Sequence, residues 1–85
     1  MTKFEYVIKD ALGFHVRPAG LFVKEMKKFA SEITVSCGDK SVTGPRLIAL
    51  MGMGVKGGDT VCVACSGDDE AEAADCLKAF LENNL

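Results

Sequence analysis

Polar and apolar positions alternate along KFEYVIKD, with Phe4, Tyr6 and Ile8 on one side and Glu5, Val7 and Lys9 on the other. A period of two predicts a half-buried strand that ends near Asp10. Past Gly13 the period lengthens. Ala19, Phe22, Val23, Met26, Phe29 and Ala30 recur at helical spacing while Lys24, Glu25, Lys27 and Lys28 fall opposite, which predicts a helix over about 16–28. Pro18 suits its first turn, where the missing N–H would have had no intrahelical partner.

Alternation returns in EITVSC, where Ile33, Val35 and Cys37 oppose Thr34 and Ser36. Gly38-Asp39 is a hairpin signal, so KSVT is read as the short returning strand of a tight antiparallel pair. GPRLIALMGMG opens with turn and helix-start residues and closes on Gly52 and Gly54, which predicts a helix of about two turns. DTVCVACS reads as a further strand. The segment from Gly67 to Asn84 predicts a strong helix: acidic residues occupy its first turn, where the macrodipole favours them, and Ala73, Ala74, Leu77, Phe80 and Leu81 form its inner stripe. The order is βαββαβα. It points to an α+β fold, a two-layer sandwich in which three helices cover one face of a four-stranded, antiparallel sheet. The other face, with Glu5, Lys9, Thr34 and Ser36, is free to stay wet.

With 85 residues the chain is expected to form one domain, 1–85, around a single core. Ten basic residues against 12 acidic ones give a formal charge of −2, and the basic side chains are scattered or paired, as in Lys27-Lys28. That distribution argues against a nucleic-acid groove. The first ten residues lack the apolar core of a signal peptide, and no apolar run approaches the ~18 residues of a membrane span. The expectation is a soluble cytoplasmic protein. Four cysteines are present, yet without a secretory context free thiols are expected. Cys62 and Cys65 form a C-x-x-C inside a strand-like run, where a separation of three sends the side chains to opposite faces. That parity weighs against a thiol-redox or metal site built from Cys37, Cys62, Cys65 and Cys76, and no metal or cofactor is expected.

The only histidine, His15, stands in LGFHVRPAG, at or next to the N-cap of the first helix. The first N–H groups of a helix lack intrahelical acceptors, so the amides of Val16 and Arg17, the helix dipole and the Arg17 guanidinium together suit an anion attached to the imidazole. Gly13 lets the approaching chain turn tightly. Imidazole accepts a phosphoryl group and donates it again, because protonation of the second nitrogen makes the ring a good leaving group. The plainer alternative is that His15 caps the helix and Arg17 is a solvated surface cation.

GFHVRPA, set in this βαββαβα order and followed by LIALMGMGVKGGD, resembles the HPr family, the histidine-containing phosphocarriers of the bacterial phosphoenolpyruvate-dependent sugar phosphotransferase system. The resemblance covers essentially the whole chain, and the G-x-H-x-R-P core is specific to it. It implies an HPr-like open-faced sandwich acting as a monomeric carrier and not as an enzyme. By that likeness, enzyme I phosphorylates Nδ1 of His15 and EIIA components receive the group, with Arg17 and the Val16 and Arg17 amides holding the phosphate. Leu47, Ile48 and Met51 match the family's exposed docking patch, while Leu50 and Met53 are expected to face inward.

The chain also departs from the family pattern. Phe14 stands where a smaller aliphatic residue is usual, Val16 where a small residue is, and Gly20 where a small non-glycine residue is. These changes are expected to alter docking or loosen the first helical turn. Arg46 occupies the position of the regulatory serine of many members, so phosphorylation there is not expected, and Thr43 is read as a new cap for the second helix. The rival to a carrier is a non-catalytic HPr-like binding module acting through Leu47, Ile48 and Met51. Retention of both His15 and Arg17 favours the carrier.

Overall fold

The alternating segments form β1 (Thr2–Val7), β2 (Glu32–Cys37), β3 (Lys40–Thr43) and β4 (Thr60–Ser66), and the helical ones form α1 (Val16–Met26), α2 (Leu47–Gly52) and α3 (Glu70–Asn84). These elements come from a computed structural model that describes residues 1–85. The strands make one antiparallel sheet in the order β1-β4-β2-β3. β4, the last strand in sequence, thus sits between β1 and β2, so the sheet is completed only when distant parts of the chain meet.

Register follows the side-chain period. Phe4 faces Val63, Val63 faces Val35 and Val35 faces Val42, which gives one apolar row across all four strands. The neighbouring row of Glu5, Cys62, Ser36 and Ser41 lies on the opposite face. A slip of one residue would exchange these rows. Beside it, Thr34 and Thr43 share a hydroxyl hydrogen bond at 3.0 Å. Cys65 is fully buried on the inner side while Cys62 is half-buried on the outer one, and all four cysteines are free.

The helices supply the facing layer. Phe22 is fully buried and stacks between Phe14 at 5.8 Å and Phe80 at 5.6 Å, which ties the loop before α1, α1 itself and α3 into one aromatic column. Burying such a ring contributes about 1.5–3 kcal/mol. Phe14 is only 4 % exposed. Its extra bulk relative to the family pattern therefore fills the core, and it does not meet partners as the sequence reading allowed. α1 ends at Met26, earlier than the apolar spacing suggested, and Ala30 is exposed beyond it, outside the inner stripe.

The acidic start of α3 does more than complement a dipole. Asp69 is its N-cap residue, and the carboxylate accepts from the Ser31 hydroxyl and from the backbone N–H of Ala30 and Ser31. These bonds, the Ser31 hydroxyl first, hold its carboxyl below the usual carboxylate range. They fasten α3 to the turn that leads into β2. Thr43 does not cap α2. It is the last residue of β3, and Arg46 is the N-cap of α2, without a side-chain cap bond.

Gly20 lies in the middle of α1 with an ordinary helical backbone, and no atom would lie within 4 Å of an added Cβ. Gly20→Ala is therefore expected to stabilise the protein by about 0.5–1 kcal/mol through reduced backbone freedom of the unfolded chain. Chemical denaturation of the two proteins measures the difference.

Candidate functional site

The segment between β1 and α1 sets the position of the histidine. Asp10 ends the approach from β1, with its backbone N–H donating to the Leu85 oxygen at 2.8 Å, beside a second bond from the Lys9 N–H. One Asp10 carboxylate oxygen, Oδ1, accepts from the Leu12 N–H at 2.9 Å, and the Asp10 carbonyl accepts from the Gly13 N–H at 3.0 Å. This is an Asx-type turn, in which a side chain replaces a backbone acceptor. Gly13 follows with φ +62°, and a Cβ there would lie 1.9 Å from the Val55 carbonyl oxygen. The sequence showed the need for a tight turn but not this close approach of the chain after α2. The same Val55 carbonyl accepts from the Phe14 N–H at 3.2 Å.

His15 is the N-cap residue of α1, in extended conformation and with no side-chain cap bond. Its imidazole is therefore not spent on closing the helix. The Ala19 N–H closes the first turn onto the His15 carbonyl, so the amides of Val16 and Arg17 precede the first intrahelical bond and have no carbonyl partner. Arg17 is exposed and takes part in none of the ion pairs.

Asp10, His15, Arg17, Pro18, Leu21 and Asn84 line an open depression of about 220 Å³. Within it, His15 Nε2 lies 3.8 Å from Asp10 Oδ2, and both side chains are more than a third exposed. The site therefore offers an imidazole nitrogen and a guanidinium around a space open to solvent, with the free amides of Val16 and Arg17 at the adjoining helix start. Such a set can hold a small dianion or accept a transferable anionic group. A larger depression of about 380 Å³ lies between the end of α1 and β2, but its one hydroxyl side chain, Ser31, is held by Asp69.

Two contributors were missed from the sequence. In sequence Asp10 marks only the end of a strand, although an Asp three residues before a glycine is also a turn signal that places its carboxylate. Asn84 comes from the far end of the chain and is brought to the site by α3. Its amide donates to the Phe80 carbonyl at 3.0 Å, and no local pattern marks it.

The apolar positions in and after α2 divide only partly as the family resemblance implies. Leu50 and Met53 are buried, and Ile48 is 78 % exposed. Leu47 and Met51 are half-buried and lean against the core, so only Ile48 stands clear of it. No helix is long and apolar enough to cross a membrane.

Comparison with known proteins agrees with this arrangement. The family model for the PTS HPr component phosphorylation site matches residues 2–83. The phosphocarrier protein HPr of Borreliella burgdorferi is 40 % identical over 83 residues, covering 98 % of this chain and 96 % of the relative. The crystal structure of HPr from Thermoanaerobacter tengcongensis superposes with a TM-score of 0.92 at 37 % identity, covering 98 % of this chain and 93 % of that one. A dimer of HPr from the same organism matches with a TM-score of 0.77 at 37 % identity, over 98 % of this chain and 95 % of that one. With a whole-chain family match, close curated relatives and a shared four-stranded antiparallel architecture, the chain belongs to the HPr family of phosphocarriers.

Proposed function

We propose that the chain carries phosphoryl groups from enzyme I of the phosphotransferase system to EIIA components through a phosphohistidine at His15, as a monomer in the bacterial cytoplasm. The observation that carries this reading is the placement of His15, an N-cap residue whose ring is free of capping duty and shares an open depression with Arg17. Nδ1 is the ring nitrogen nearer the backbone, so a group on it lies close to the unpaired Val16 and Arg17 amides. Acceptance breaks the donor's bond to phosphorus and forms Nδ1–P. Donation breaks Nδ1–P, and the bonding pair returns to the ring. No cofactor or metal takes part.

A transfer experiment tests the relay. The purified chain is incubated with enzyme I and labelled phosphoenolpyruvate, and an EIIA protein is then added. Label should appear on the chain first and move to EIIA. A chain that binds enzyme I yet takes no label would instead be a regulatory binding module acting through Leu47, Ile48 and Met51, the second reading, with which the exposure of Ile48 is equally compatible.

Arg17 is assigned to positioning the phosphoryl group and balancing its charge in transit. Electrostatic stabilisers of this kind supply a few kcal/mol, so Arg17→Ala is expected to slow transfer about a hundredfold. The exposed side chain has no ion pair to lose, so the melting temperature should stay near that of the parent. Parental transfer rates in rapid-quench measurements would remove Arg17 from the site.

Leu47, Ile48 and Met51 are assigned to docking, and Ile48 is the cleanest probe of the three. Ile48→Asp places a charge where apolar contact with a partner is proposed, and is expected to weaken binding to enzyme I by about 1–2 kcal/mol. Stability should change little. Titration calorimetry beside thermal unfolding separates the two effects. Arg46 offers no hydroxyl at the position of the family's regulatory serine, so control of this chain is assigned to its expression or to the phosphorylation state of His15.

A further inference from the structure

We propose that Asp10 is a positioning residue for His15, selecting the imidazole tautomer in which Nε2 carries the proton and Nδ1 the reactive lone pair. The proposal rests on the carrier reading above and adds a residue to it.

The Asp10 carboxylate is itself oriented. Oδ1 is held by the Leu12 N–H at 2.9 Å, and the backbone is fixed on both sides by the bonds from its own N–H to Leu85 and from the Gly13 N–H to its carbonyl. Oδ2 is left facing His15 Nε2 at 3.8 Å. That separation is a charge contact and too long for a hydrogen bond, as catalytic contacts often are before the reacting partner docks. The other polar side chains lining the depression are those of Arg17 and Asn84. Of these groups Asp10 alone is anionic, and an ionised carboxylate only accepts hydrogen bonds. It therefore favours N–H at Nε2, and with one proton on a neutral ring Nδ1 is left unprotonated.

The consequence for transfer follows from bond accounting. When the donor's bond to phosphorus breaks and Nδ1–P forms, the proton on Nε2 stays in place, and the ring's new positive charge faces the Asp10 carboxylate. When Nδ1–P breaks, the electron pair returns to Nδ1 and the ring is neutral again with Nε2–H. Asp10 neither gains nor loses a proton in either direction.

Asp10→Asn separates this role from the turn. The amide oxygen can still accept from the Leu12 N–H, but the group that then faces Nε2 is a donor. Nitrogen-15 NMR of His15 at a pH where the ring is neutral is expected to show the population moving from the Nε2–H form towards Nδ1–H. Phosphoryl transfer from enzyme I should slow about tenfold, with the melting temperature close to the parent's. Asp10→Ala, which has no group to offer Nε2, should lose the Nε2–H preference even if the turn loosens. A parental tautomer ratio in both variants would overturn the proposal, as would a parental transfer rate in Asp10→Asn. Failure of the parent to accept phosphate would overturn the carrier reading, while the NMR result would still decide whether Asp10 sets the tautomer.

Discussion

A His15→Ala protein should fold as the parent does and take no phosphoryl group from enzyme I. The folding half of this expectation follows from the site. The imidazole is more than a third exposed and makes no capping bond, so its removal leaves neither a cavity nor an unpaired buried group. The chemical half follows from the lack of a substitute. No Ser, Thr, Cys or Tyr side chain lines the depression around His15. Cys65 is buried, and that burial pushes its thiol up. The Cys76 thiol is likewise raised, chiefly by burial and then by the neighbouring Glu25, whose carboxylate it approaches. Cys62 lies on the other face of the sheet. Incorporation should fall below about a hundredth of the parental level, since no other activated nucleophile reaches the docked donor. Labelling of the variant at the parental level would move the reactive group elsewhere.

Gly13→Ala is expected to be the most damaging single-methyl addition near the site. The backbone there has φ +62°, and the new Cβ would sit 1.9 Å from the Val55 carbonyl oxygen, inside any real contact distance. The left-handed conformation alone costs an L-residue about 1–2 kcal/mol. The clash is with backbone, which cannot rotate away, so the total loss should reach about 3–5 kcal/mol. Relief requires moving the chain at Val55, the same carbonyl that holds the Phe14 N–H, and so shifts the base on which His15 stands. Urea denaturation should show the loss, and transfer should fall in the protein that remains folded. A variant as stable as the parent would mean that this approach is looser than the geometry implies.

Much of this was legible in the sequence because it is periodic or locally encoded. Strand alternation in KFEYV and EITVSC, the Gly38-Asp39 turn and the stripe of α1 each depend on near neighbours, and each appears where expected, the stripe as far as Met26. The N-cap position of His15 was legible for the same reason, since Gly13 and Pro18 bracket the helix start. What stayed hidden depends on contacts between distant segments. Phe14 reads as a surface variation until Phe22 and Phe80 are found stacked in line with it. The carboxylate of Asp69 reads as dipole compensation until the turn at Ala30 and Ser31 is placed against it. Thr43 looked like a cap because a hydroxyl preceded a helix, but its pairing with Thr34 across the hairpin keeps it in the strand. Asn84 and Asp10 share one depression only because α3 returns its last turn to the end of β1, and no window of sequence contains both.

The most direct measurement of the carrier assignment is phosphorus-31 NMR of the chain after incubation with enzyme I and phosphoenolpyruvate, with the modified residue then located by peptide mapping. One phosphoryl group per chain is predicted, on Nδ1 of His15, stable in base and lost in acid as protonation of the ring releases it. An acid-stable phosphoester on a hydroxyl, a phosphoryl group on any residue other than His15, or no phosphorylation by active enzyme I would contradict it.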